Sequence, residues 1–254
     1  MRGFILGLVI GLMAGVVLAV AQSDRRAASD ALRPGSGGAN EPVHWRLASA
    51  YPPALPHLGA RAGAIAEAIG RISDGRIQIQ VQGPGQLVAA LDAFDAVASG
   101  TVDAAFSSAA YWGRKSPSFE IFAGVPFGPD MATFLAWFEN AGGRAEYEKL
   151  YAAFNIHAIA CGVQGPTGAL FTEDVQASVD LLGRNVAAAG LAGRVLGALG
   201  ATVKRIAPSD LAAGFADKSL AGALFAGPAD DLALGLGSYG KVYYFPGWGR
   251  QSGL

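Results

Sequence analysis

The sequence predicts an α/β protein built as two lobes. Three observations carry that prediction. Short apolar strands alternate with helix-spaced segments twice along the chain, before and after a helical stretch at residues 131–154. Small and aromatic residues gather at the carboxyl ends of several strands, where open α/β sheets hold ligands. The chain has 254 residues, is 52% hydrophobic and carries a formal net charge of -1. That suffices for one large core or two small ones, and it lacks the basic footprint of a nucleic-acid partner.

The amino terminus reads as a targeting segment. Met1-Arg2 is a short positive start, residues 4–21 are almost wholly apolar, and Ala19-Val20-Ala21 is a small-x-small close. Residues 1–21 are expected to be a secretory signal, with a membrane anchor as the alternative reading. Residues 22–41, rich in Gly, Ser and Ala, form an expected flexible tether. Either topology places the folded part outside the cytoplasmic membrane.

The first lobe is expected over 42–160. Residues 44–49 make a short strand ended by Tyr51-Pro52-Pro53. Pro56 opens a helix to about Ile72, with Leu58, Ala62, Ile65, Ala66 and Ile69 at helical spacing. Residues 76–82 (RIQIQVQ) alternate strictly and predict a strand with one wet face. Gly83-Pro84-Gly85 is a turn with no phosphate-loop pattern, and a helix follows over 88–98. Residues 102–107 form a strand that runs into Ser108-Ala109-Ala110-Tyr111-Trp112, a composition that suits a ligand wall. An apolar, turn-broken stretch at 119–127 precedes helices at 131–140 and 144–154, split by Gly142-Gly143. Trp137 and Phe138 are expected in the core.

The second lobe is expected over 161–222, its first strand starting just earlier, at 156–161. Further strands are expected at 167–171, 185–189 and 202–206, with helices at 190–199 and 208–216. Residues 221–225 then form a strand closed by Gly227-Pro228. Asp230-Asp231 stand at a helix start, where carboxylates suit capping and the helix dipole. The aromatic run Tyr243-Tyr244-Phe245, closed by Pro246-Gly247-Trp248, ends the pattern. Residues 223–254 are expected to cross over and return to the first lobe.

No catalytic constellation is visible. The chain lacks a G-x-S-x-G elbow, and the side chains of adjacent Asp230 and Asp231 diverge too far to share a proton. Its three His are far apart, and the single cysteine, Cys161, is expected as a small core residue. These observations disfavour an enzyme and point to ligand capture between two closing lobes.

The sequence resembles the solute-binding subunits of tripartite ATP-independent periplasmic (TRAP) transporters, in the branch that binds 2-oxo acids and similar organic anions. The resemblance rests on several segments from Trp45 onward. They are Trp45 to Pro52, Leu55-Pro56-His57-Leu58-Gly59, Phe94-Asp95-Ala96-Val97 with Gly100, Ala110-Tyr111-Trp112-Gly113, Val125-Pro126-Phe127-Gly128, Gly227-Pro228 with Asp230-Asp231, and Tyr243 to Trp248. Together they are specific; singly each is weak. The resemblance implies a two-lobed periplasmic binding protein of the type II-like class, with a hinge, a buried small organic solute, and delivery to TRAP membrane permease subunits driven by an ion gradient. In that branch an Arg on a second-lobe strand pairs with the ligand carboxylate, and a Gln, a Trp and a Glu complete a site that can hold a cation.

This sequence departs from that pattern. Ala187 stands where the resemblance implies the Arg, and Arg184 lies three residues away on the opposite strand face. The implied Glu-Trp pair is Leu224-Phe225, and the Gln position falls at or near Thr167. The expected ligand-contacting residues are therefore Tyr111, Trp112, Thr167, Ala187, Leu224 and Phe225. No metal or cofactor is expected, because the implied cation site has lost its acid. Bracing helices that follow the Pro-Gly-Trp stretch in the family are missing here, so a truncated and diverged member is expected. Two readings compete: a periplasmic solute receptor with a less charged or more hydrophobic ligand, and a non-binding relic.

Overall fold

The structure is a computed structural model that describes residues 41–245. The expected signal or anchor, all but the last residue of the tether, and Pro246-Gly247-Trp248 lie outside the described residues.

The first sheet is parallel, in the order β2-β1-β3. It consists of β1 (Val43–Ser49), β2 (Ile77–Gln82) and β3 (Ala104–Phe106). In β2 the Ile and Val side chains are half-buried and Gln78 and Gln80 are exposed, so the IQIQVQ alternation sets which face meets the protein. Helix α1 (Leu58–Ile72) links β1 to β2. It packs so closely that a Cβ on Gly59 would lie 1.9 Å from the Pro52 carbonyl oxygen. The expected helix at 88–98 becomes a 3-10 turn (Ala90–Asp92) followed by α2 (Ala93–Ala98).

An aromatic core packs beside this sheet. Helices α3 (Ser118–Phe122), α4 (Met131–Asn140) and α5 (Gly143–Ala152) supply most of it. The Asp130 carboxylate caps α4 by accepting from the Thr133 N–H at 2.8 Å. Gly142, at φ 90°, turns the chain between α4 and α5. Phe119 is fully buried, with its ring 4.7 Å from Tyr151 and 5.6 Å from Phe94. Phe138 enters this core as expected, while Trp137 stays about a third exposed and stacks on Phe122.

The second sheet is mixed, in the order β6-β5-β7-β4-β8. In chain order its elements are β4 (Ala169–Phe171), β5 (Asn185–Ala187), α6 (Gly190–Ala198), β6 (Thr202–Lys204), α7 (Leu211–Ala216), β7 (Gly222–Leu224), α8 (Pro228–Ala233) and β8 (Val242–Tyr244). Strand β5 runs parallel to β6 and β7, whereas β4 runs antiparallel to β7 and β8.

Four expectations need correction. Residues 156–161 form no strand; Ile156, Ala160 and Val163 pack on the aromatic core by side chain alone, without a ladder. Cys161 on that segment is exposed rather than a core residue. The segment after 223 does not give its strand back to the first sheet: β8 pairs with β4, because Tyr243 and Tyr244 bury against the second sheet's two cores. Asp230 and Asp231 do not cap α8. Both are almost fully buried and reach outward to other segments. Asp230 accepts from the His57 N–H at 3.1 Å, and Asp231 accepts from the Tyr243 hydroxyl and from the Ala226 N–H.

Candidate functional site: a cavity between the two sheets

Strands β1, β3, β5 and β7, two from each sheet, end on one cavity of about 100 Å³. This is the crevice outside the strand carboxyl ends that α/β topology predisposes to binding. Strand β1 delivers Tyr51, and β3 runs on to Ser108 and Tyr111. Strand β5 ends in Ala187, and β7 ends in Leu224 followed by Phe225. Thr167 arrives from the other direction because β4 is antiparallel, so its start lies at the same edge.

Local contacts fix the wall. The Tyr51 N–H donates to Ser49 Oγ, whose hydroxyl returns a bond to the Tyr51 carbonyl, so the turn after β1 is locked. The Tyr51 ring lies 6.4 Å from Phe225, joining a first-sheet element to a second-sheet one. Phe225 and Leu234 pack against both the aromatic core and a second-sheet core. The Gly168 N–H donates to the Ala226 carbonyl at 2.8 Å, which holds Thr167 beside Leu224 and Phe225.

Two polar contacts fasten the rim. Glu120 on α3, nearly buried, forms an ion pair with Arg194 on α6. The contact is a charge pair without hydrogen-bond alignment, since Glu120 Oε2 has no hydrogen-bond partner. The Arg205 guanidinium donates to the Tyr111 carbonyl. Both tie segments that follow the first sheet to connections of the second sheet, and Gly190 at φ 63° sits within 3.8 Å of Ala110 and Ala123 where its Cβ would be.

The electrostatics are those of a neutral chamber. Among the described residues, no Lys, Arg, His, Asp or Glu lines the cavity. Burial raises the Tyr51 phenol well above its ordinary range, and the nearby Tyr111 adds to the effect. Burial alone pushes the Tyr111 phenol up. Both therefore stay protonated and act as donors. Gln164, Thr167 and Ser108 add polar groups. Helix α6 opens on the cavity with Gly190, Leu191 and Ala192, whose N–H groups have no acceptor within the helix. A helix start contributes about 0.3–1 kcal/mol toward a negative group. Burying a carboxylate without a cation costs several times that, so the donors suit a carbonyl or hydroxyl oxygen better than an anion.

Five of the six expected contact residues line this cavity: Tyr111, Thr167, Ala187, Leu224 and Phe225. Trp112 does not. Successive side chains in a 3-10 turn diverge by about 120°, so with Tyr111 on the cavity Trp112 turns inward, 4% exposed, its ring 5.2 Å from Phe94. Arg184 does not reach the cavity either, since it pairs with Glu173 at 3.5 Å. Sequence reasoning missed Tyr51 and Gln164 as wall residues. Tyr51 was legible from its place just past a strand end. Gln164 sits in the irregular run before β4, where no periodicity points its side chain.

Strand ends from two sheets converging on one cavity are the architecture of two-lobed α/β binding proteins. Residues 49–250 match the bacterial extracellular solute-binding protein family 7, DctP, and the chain belongs to that family, which is one of transport receptors and not of enzymes. A curated relative, the monocarboxylate 2-oxoacid-binding periplasmic protein of Nostoc sp., is 32% identical over 208 residues, 81% of this chain. The chain spans 57% of that relative's length. A TRAP solute-binding protein from Pseudoalteromonas atlantica, solved with bound sodium and pyruvate, superposes with a TM-score of 0.79 at 29% identity. That match covers 84% of this chain and 65% of the other. One from Bordetella bronchiseptica, with copurified calcium and picolinate, gives a TM-score of 0.78 at 29% identity over 84% of this chain and 64% of its own.

Those neighbours were solved with a bound cation as well as an organic ligand. Among the described residues, no carboxylate lines this cavity.

Proposed function

We propose that this chain is the periplasmic receptor of a TRAP-type secondary transporter, capturing a small organic acid or related solute between two lobes. The observation that supports this reading best is the cavity at the carboxyl ends of strands from both sheets. Its small volume suits a solute of few heavy atoms, since drug-sized pockets run to roughly 300–1,000 Å³. Tyr111, Thr167, Ala187, Leu224 and Phe225 contact the solute in this reading, and Trp112 backs Tyr111 from the core. In this reading the first lobe runs over 42–160 and the second over 161–222. Residues 1–21 direct export, and a permease pair in the membrane receives the solute.

Intrinsic tryptophan fluorescence tests the reading. Trp112 lies directly behind the wall, so solute entry changes its surroundings and its emission. Titration with a panel of short carboxylates, amides, ketones and alcohols is expected to give a saturable change with at least one member. A flat response to all of them would instead support the relic.

A further inference from the structure

Resting on the capture reading above, we infer that this receptor takes an uncharged, oxygen-bearing solute without a metal ion. Three observations converge on this class. The residues that line the cavity carry no formal charge. Arg205 donates to the Tyr111 carbonyl, Arg194 pairs with Glu120 and Arg184 pairs with Glu173, and none of the three lines the cavity. The polar groups that remain are hydroxyls, one side-chain amide and the first N–H groups of α6.

Each of these has a place in the recognition. The Tyr51 and Tyr111 hydroxyls, both protonated, donate to a carbonyl or hydroxyl oxygen. Gln164, whose amide nitrogen makes only a long 3.4 Å bond to the Phe225 carbonyl, offers both a donor and an acceptor to an amide or alcohol. Thr167 does the same with its hydroxyl, whereas the Ser108 hydroxyl accepts from the Ala110 N–H and bonds the Tyr51 hydroxyl. Ala187 and Leu224 then pack against the solute's carbon skeleton. A carboxylate placed here has donors but no counter-charge, and an amide of the same shape satisfies the same donors without bringing a charge into the cavity.

Isosteric pairs decide the matter. The full chain is titrated with pyruvate and pyruvamide, with propanoate and propanamide, and with lactate and lactamide, each with and without added calcium or sodium. Tryptophan emission and thermal shift are the readouts. The expected result is that the amide of at least one pair binds at least tenfold more tightly than its carboxylate, and that neither cation changes the affinity. Equal or tighter binding of the carboxylates, or a cation requirement, overturns this inference and leaves the capture reading standing. In that outcome Arg205→Ala shows whether the Arg205 guanidinium supplies the charge. Binding of no member of any pair removes the capture reading together with this one.

Discussion

Replacing Asp231 by Asn should change how stability depends on pH, and the geometry sets both sign and size. Asp231 is 4% exposed and accepts from the Tyr243 hydroxyl and the Ala226 N–H. Burial pushes its carboxyl up from 3.8 to about 6, although both hydrogen bonds pull the other way. In the unfolded chain the group ionises near its ordinary value. Between those two values the folded protein therefore binds more protons than the unfolded one, and stability falls as pH rises through the window. At ~1.4 kcal/mol per pH unit, the full effect is about 3 kcal/mol. For a body of this size that is roughly 6–12 °C in Tm. Asn cannot ionise and keeps an acceptor oxygen. Asp231→Asn should thus gain several degrees on the wild type between pH 4 and pH 7. Asp174, Asp180 and Asp217 are held low by hydrogen bonds and act in the opposite sense. They are the same in both proteins and cancel in the difference. Thermal melts of the pair at four or five pH values measure it. A difference that stays flat, or that grows toward acid, refutes the argument.

Other substitutions probe other links. Gly59→Ala drives a Cβ into the Pro52 carbonyl, and denaturant melts should show a loss of about 1–3 kcal/mol. Phe119→Ala empties the centre of the aromatic core and should cost about 3–5 kcal/mol in the same assay. Arg194→Ala leaves Glu120 nearly buried without its partner. Stopped-flow fluorescence should show solute leaving the cavity about tenfold faster, and the additional change Glu120→Gln should recover part of the loss.

Much of this architecture was legible because it rests on local signals. The period-2 run at Ile77–Gln82 fixed β2, and the Pro-Gly punctuation around residues 83–85, 142–143 and 227–228 fixed element ends. Cavity positions at strand ends were legible for the same reason: Leu224 and Phe225 follow from knowing where β7 stops. What was not legible depends on partners far along the chain. Residues 156–161 have a strand's composition, yet no neighbour offers them a ladder. Asp230 and Asp231 sit where caps belong, but their carboxylates find His57 and Tyr243 instead. Trp112 turned away because its segment is a 3-10 turn, a local twist that composition does not encode.

The placement of β4 in the second sheet carries a consequence for how the protein comes together. Strand β5 can meet β6 as soon as the intervening helix forms. Strand β4, made earlier, waits for β7 on one edge and β8 on the other. Until both arrive, Ala169–Phe171 offers two rows of unpaired backbone groups to any passing strand. Such late, non-local pairing is slow because the loop must close before the contacts form. Refolding should therefore be limited by the capture of β8, and this three-residue strand is where the nascent chain is most open to self-association.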